Sequence, residues 1–237
     1  MKSLSLKAKL YRILPVSVLL KMFKGKTNSL SSPNNWADNW EKLKIESKEG
    51  SKAFEENKKK IFAQSWSTDH YSALLWENYS KEKRSVRIKT SVASLYGTLP
   101  ASIVHLYEPT DLIQPVDYLG EKKIRKLVRD MIEAGNLDVE AVKGLFFKKR
   151  EAYRDEKEIR LIVPHLGGQG DVKVTDKAGQ RRLEYKIDPL DFIESIYFDT
   201  RMPKEEFETF KAEFERLGFD KPIYKSNIHR KPKAIRV

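Results

Sequence analysis

A chain of 237 residues, 40% hydrophobic and 34% charged, holds enough apolar material for one large domain or two small ones. Lys and Arg number 46 against 34 Asp and Glu, a formal charge of +12, and aromatics make up 11%, too many for a disordered basic tail. The absence of cysteine excludes a disulfide framework, thiolate zinc and a cysteine nucleophile. The isolated His70, His105, His165 and His229 give no metal site, so no metal is expected.

Leu14-Pro15-Val16-Ser17-Val18-Leu19-Leu20 is cut off by Lys21, well short of the ~20 apolar residues of a membrane span. It reads as a short amphipathic helix with Pro15 in its first turn and Gly25 at its stop. No cleavage site follows, so a cytoplasmic protein with no membrane attachment is expected. Ser29-Leu30-Ser31-Ser32-Pro33-Asn34-Asn35 is dense in turn formers. Residues 36–60 are charged and partly helical, anchored by Trp40, Leu43 and Phe54. Residues 61–67 read as a strand. Thr68 or Asp69 then caps a helix to Tyr79 with Tyr71, Leu74, Leu75 and Tyr79 on one face. Val86, Ile88, Thr90 and Val92 alternate with Arg87, Lys89 and Ser91, the pattern of a half-exposed strand.

Strands are expected at 102–107 and 115–118, and helices at 121–134 and 138–147. The charged run from Lys148 to Asp155 leads into a strand over 156–163. Gly167-Gly168-Gln169-Gly170 is a turn, since no Lys-Ser/Thr follows it and no helix opens from it. Strands follow near 172–175, 182–187 and 195–198. A last helix runs from Pro203 to near Gly218 with Phe207, Phe210 and Phe214 on its buried face. Helices and short strands interleave without a regular βαβ rhythm, which predicts an α+β fold with mixed or antiparallel sheets. No internal linker divides the chain, so 1–237 is expected to be a single domain with a basic tail over about 221–237.

Three segments put polar residues where a strand prefers apolar ones: Tyr11-Arg12 within Leu10–Leu14, Ser65-Trp66-Ser67, and Glu156-Lys157-Glu158-Ile159-Arg160. Strand period two puts Glu156, Glu158 and Arg160 on one face, the carboxylates about 7 Å apart. On residue pattern alone a solvent-exposed edge strand explains the last segment as simply as a catalytic pair does.

Tyr11-Arg12, the stretch from Leu30 to Asp38, Ser65-Trp66-Ser67, and Leu75-Trp76-Glu77-Asn78-Tyr79 occur in an order that resembles the DUF2971 family. So does Lys148-Lys149-Arg150-Glu151-Ala152-Tyr153-Arg154-Asp155-Glu156-Lys157-Glu158-Ile159-Arg160, and residues 193–203 resemble its C-terminal stretch. More distantly, Arg, Ser-x-Ser and Glu-x-Glu in that order resemble the Arg–Ser–Glu signature of ADP-ribosyltransferases, with Trp66 where the usual pattern has Thr. That resemblance implies an ADP-ribosyltransferase-like fold with NAD+ as substrate. It further implies that Arg12, beside Tyr11, grips the phosphates or ribose, and that Ser65 or Ser67 orders the nicotinamide half. Glu158 would hold the nicotinamide ribose and Glu156 would face the acceptor. Tyr71 or Trp66 offers a ring to stack on the nicotinamide, although burial in the core is the simpler expectation for either.

The +12 charge favours an acidic partner, most simply RNA or DNA bound through phosphates. The candidate contacts are Lys148, Lys149 and Arg150 ahead of the glutamates, and Arg230, Lys231 and Lys233 in the tail. By analogy a small basic enzyme of this kind is a toxin or phage-defence effector with a neutralising antitoxin. The alternatives are transfer to a protein acceptor, hydrolysis of NAD+, a nuclease, or a non-catalytic nucleic-acid-binding module.

Overall fold

The computed structural model describes residues 4–36, 50–168 and 170–229. In chain order the elements are β1 (Lys9–Pro15), α1 (Val16–Gly25), β2 (Thr27–Ser31), α2 (Gly50–Lys58), β3 (Ile61–Ser67), α3 (Ala73–Tyr79), β4 (Ser85–Ser91), α4 (Val92–Gly97), α5 (Ala101–Val104) and α6 (Pro109–Leu112). There follow β5 (Ile113–Pro115), β6 (Asp117–Leu119), α7 (Glu121–Glu133), α8 (Val139–Leu145), β7 (Lys148–Arg150) and β8 (Glu158–Pro164). The last are β9 (Val172–Lys177), β10 (Gln180–Lys186), α9 (Pro189–Phe192), β11 (Ser195–Phe198), α10 (Lys204–Arg216) and β12 (Ile223–Lys225). Single 3-10 turns lie at Pro33–Asn35 and Glu151–Glu156.

The fold is α+β. Among the described residues one sheet runs β12-β11-β4-β1-β3-β2-β10-β9, with β8 and β5 continuing from the other edge of β3, while β6 and β7 pair apart. The pairs in the large sheet are antiparallel except β11 with β12. Phe62 and Trp66 of β3 pack into one core with Leu10, Leu14, Ile88, Phe198 and Phe214. Ile61 and Ala63 face a second core with Phe54, Val142, Phe146 and Ile162. A strand buried on both faces reads as a near-continuous apolar run, which is why polar residues inside β3 carry information.

Several sequence expectations change. Residues 101–104 are helical rather than extended: Pro100 sets the turn, and Leu99 and Ile103, four apart, both face the core. The β-branched pair Ile103-Val104 mimicked a strand. Residues 27–31, dense in turn formers, are strand β2. The 68–79 helix begins later, capped by Ser72, whose hydroxyl accepts from the Leu75 amide. Its buried face is therefore Leu75 and Trp76, with Tyr71, Leu74 and Tyr79 exposed. Strand β4 is not half-exposed, because β1 and β11 flank it and every residue but Lys89 is buried. Trp40 and Leu43 lie outside the described residues.

One buried polar chain ties β10, β2 and β3 together. The Asn28 amide donates to the Tyr185 hydroxyl (2.8 Å) and its oxygen accepts from Gln64 (2.9 Å), whose own oxygen accepts from the Trp66 indole (3.0 Å). All four side chains are buried. Asn28→Ala takes a donor from the buried Tyr185 hydroxyl and one acceptor from Gln64, whose amide keeps the Ser29 carbonyl (3.2 Å), so urea denaturation should show a loss of about 2 kcal/mol in unfolding free energy. An unchanged midpoint would mean the chain is not a structural tie.

Candidate functional site

Strand β3 forks the sheet. On one edge it pairs with β8 over its full length, from Ile61↔Pro164 to Ser67↔Glu158. On the other edge β1 meets it at Tyr11↔Ser67 and β2 at Ser31↔Ala63. Gln64, Ser65 and Trp66 lie between these two points, and among the described residues no strand pairs with them on that edge. A cleft of about 220 Å³ opens at this gap, lined by Tyr11, Arg12, Ser65, Trp66, Ser67, Trp76, Arg87, Glu156 and Glu158 among others.

Glu158, the first residue of β8, is 4% exposed. Arg160 grips it side-on, Nε to Oε1 at 2.8 Å and Nη2 to Oε2 at 3.0 Å, and the Lys149 ammonium donates to Oε2 at 3.0 Å. Arg160 is itself 1% exposed, bonded to the Phe146 carbonyl (2.6 Å) and lying over the Trp36 ring at 4.3 Å. Burial pushes the Glu158 carboxyl upward, but Arg160, Lys149 and the neighbouring Ser65 hydroxyl outweigh it and bring the pKa down to about 2. The carboxylate therefore stays charged at neutral pH although it is out of water.

Glu156 is not on the strand. It ends the 3-10 turn Glu151–Glu156, and Lys157, in the left-handed region at φ 46°, redirects the chain into β8. Glu156 and Glu158 nevertheless meet, because Lys149 on β7 reaches both, at 2.7 Å and 3.0 Å. The edge-strand expectation for 156–162 fails on burial, since every residue of β8 is buried and β3 and β5 flank it.

The serines differ. Ser65 lines the cleft beside Glu158 and helps to lower its pKa. The Ser67 hydroxyl donates to the Glu156 carbonyl (2.7 Å) and accepts from the Asp69 amide (2.9 Å), so it fixes the loop after β3. Tyr71 is 60% exposed against a tilted His70 ring at 6.4 Å, and unlike His70 and Ser72 it does not line the cleft.

Cross-strand partners share a face of the sheet. Tyr11↔Ser67 and Ser67↔Glu158 therefore put Tyr11 on the Glu158 face, and Arg87 joins it with its guanidinium 5.4 Å from the Tyr11 ring. Arg12 points from the other face of β1, 6.0 Å from the Trp66 ring, and reaches the cleft through the fork. Burial and the neighbouring Arg182 lower its pKa to about 10 against a raising contribution from Tyr185. Among the described residues Arg12 has no ion pair.

The basic run before the glutamates is not a free nucleic-acid face. Lys149 is 6% exposed and neutralises the carboxylates, which removes it as a phosphate contact. Lys148 pairs with Asp117 (3.3 Å), and Arg150 pairs with Glu121 (3.3 Å) and bonds Tyr153. Arg230, Lys231 and Lys233 lie outside the described residues. Sequence reasoning missed Arg87, Trp76 and the inward role of Lys149. The only signal for Arg87 was its alternation with Val86 and Ile88, which reads equally as solvent exposure.

Among the described residues no helix is long and apolar enough to cross a membrane, and no cluster of three or more His, Asp or Glu is placed to hold a metal ion. No curated protein matches the chain. Two solved structures are similar to it at 11% identity. One is Thermus sp. 2.9 DarT in complex with carba-NAD+, with a TM-score of 0.40 and coverage of 94% of this chain and 97% of that one. The other is Thermus sp. 2.9 DarT in complex with ADP-ribosylated ssDNA, with a TM-score of 0.42 and coverage of 96% and 97%. Residues 75–161, which contain Trp76, Arg87, Lys149, both glutamates and Arg160, match the family described as "Protein of unknown function (DUF2971)".

Proposed function

We propose that this protein is an ADP-ribosyltransferase that cleaves NAD+ and passes ADP-ribose to a nucleic acid. The observation that carries the reading is Glu158. It is an ionised carboxylate lining a cleft beside Ser65, in a gap of the sheet bordered by Arg12 and Arg87, which have no ion pair among the described residues. Breaking the bond between C1′ of the ribose and the nicotinamide nitrogen sends the electron pair to nicotinamide and leaves positive charge on the ribose. A fixed carboxylate stabilises that charge more than it stabilises the ground state. The acceptor nucleophile then bonds to C1′, and Glu156 is the base that takes its proton. Arg12 supplies positive charge for the dinucleotide phosphates.

The chain's +12 charge supports a nucleic-acid acceptor, RNA or DNA, over a protein one. The role we assign is a cytoplasmic toxin or phage-defence effector held in check by an antitoxin protein. The tail around Arg230, Lys231 and Lys233 is the remaining candidate for phosphate contact. A second reading, a binding module without catalysis, draws on the fact that Arg160 and Lys149 already engage both oxygens of Glu158. It predicts salt-dependent nucleic-acid binding and no NAD+ turnover.

Incubation with radiolabelled NAD+ and separate RNA, DNA and protein acceptors distinguishes the two. Glu158→Gln should cut label transfer and nicotinamide release by about 100-fold or more while leaving nucleic-acid binding intact. Turnover unchanged in the folded variant would sink the catalytic assignment.

The pH dependence has a defined sign. Glu158 sits at about 2 in the folded protein against an ordinary 4.5. Its contribution to stability is complete above about pH 4.5 and is lost as pH falls towards 2. Unfolding free energy should therefore decline on acidification through this window, and Glu158→Gln should flatten that decline. Lys149→Met, which removes one of the stabilising charges, should move the Glu158 titration upward, visible as an acid limb of nicotinamide release at higher pH.

A further inference from the structure

Arg87 is a cation with no anion paired to it among the described residues. It lies on β4 with 8% exposure, lining the cleft. Its guanidinium is sandwiched between the rings of Tyr11 (5.4 Å) and Tyr197 (4.6 Å), and Nη1 donates to the His70 carbonyl. Nε is buried with no partner, and among the described residues no hydrogen bond reaches Nη2 and no carboxylate pairs with the group. Burial lowers its pKa, while Tyr197, Tyr11 and Asp69 pull the other way. The acid that acts on it electrostatically is Asp69, but its oxygens are taken by the Tyr71 amide (2.8 Å) and the Lys157 ammonium (3.0 Å).

The Nε–Nη2 edge left over is the edge that donates two parallel hydrogen bonds to an oxyanion, as Arg84 does to Glu206 and Arg160 to Glu158. A second donor in the same cleft is unsatisfied as well: Trp76 is 1% exposed, and its indole N–H has no partner. Buried donors normally find acceptors, and a buried charge normally finds an opposite one. Two unmatched donors lining one cleft, one of them a charged group on the sheet face that carries Glu158, call for an acceptor from outside the chain.

We propose that Arg87, with the Trp76 indole N–H, forms a phosphate-binding subsite of the cleft. Two sources carry that chemistry, the diphosphate of a dinucleotide and the phosphodiester of a nucleic acid. The subsite stands on its own geometry, and only the naming of the dinucleotide as a source rests on the transferase reading. Arg87 is well built for the task because the tyrosines fix its plane before the ligand arrives, so less ordering accompanies binding.

Calorimetric titration of the whole protein tests this with ADP-ribose, inorganic pyrophosphate, nicotinamide riboside and a short single-stranded oligonucleotide. Arg87→Gln removes the charge, Arg87→Lys keeps it but loses the fork, and Trp76→Phe keeps the ring but loses the N–H. The expected result is about tenfold or greater weakening of ADP-ribose and pyrophosphate in both Arg87 variants, a smaller loss in Trp76→Phe, and no change for the phosphate-free riboside. Weakening confined to the oligonucleotide, with a shallower salt slope, would support the subsite and assign it to the acceptor. Pyrophosphate binding that depends on Arg87, without any binding of ADP-ribose, would keep the subsite and remove the transferase reading. The proposal falls if the Arg87→Lys protein, folded by thermal melting, binds every anion as the wild type does, or if the wild type binds none.

Discussion

Arg160 carries a full charge at 1% exposure, and the way that charge is met organises the centre of the molecule. One edge of its guanidinium closes on Glu158, the remaining nitrogen bonds the carbonyl of Phe146 just beyond α8, and its face lies on Trp36. Glu158 then collects Lys149 from β7, and Lys149 collects Glu156 from the turn before β8. Among the described residues two carboxylates and two cations thus share a buried cluster, where each charge is met by opposite ones. Strand β8, the end of α8 and the small β6–β7 pair are held in register by electrostatics as much as by packing. The Glu158 amide donating to the Tyr118 hydroxyl on β6 closes the same loop (2.8 Å).

The fork at β3 gives that cluster access to a ligand. A strand paired along both edges would leave no room at Ser65. Because β1 and β2 each touch β3 at one register point, the sheet splays and a cleft appears beside an otherwise closed core. The polar chain from Tyr185 through Asn28 and Gln64 to Trp66 keeps the splay from collapsing, since its donors and acceptors would lose their partners if β2 and β3 shifted. Arg12 lies against the Trp66 ring, so the same chain sets where that guanidinium enters the cleft.

Charge is distributed less simply than its net value suggests. The run at Lys148-Lys149-Arg150 looks like a surface patch, yet its members face Asp117, Glu156, Glu158 and Glu121. Arg12 and Arg87, spaced widely in sequence and embedded among apolar neighbours, are the cations that reach the cleft without an ion pair among the described residues. In this protein a buried, sparsely partnered arginine says more about a ligand than a stretch of adjacent lysines does.

The sequence by itself determined the α+β class, the strand at 61–67 and, within a few residues at their ends, strands expected near 172–175, 182–187 and 195–198 and helices expected at 121–134 and from Pro203 to near Gly218, because hydrophobic period, proline and glycine are local signals. It also singled out Ser65, Glu156 and Glu158, since polar residues in an apolar strand are conspicuous wherever the strand ends up. Only the tertiary structure decided that Glu156 sits in a turn, that Ser67 serves the backbone, that Lys149 points inward and that Arg87 shares the face of Glu158. Period two assigns a residue to one of two faces, but which face is buried depends on the strands placed beside it. In this chain β4 and β8 read as exposed and became interior once β1, β11, β3 and β5 covered their edges.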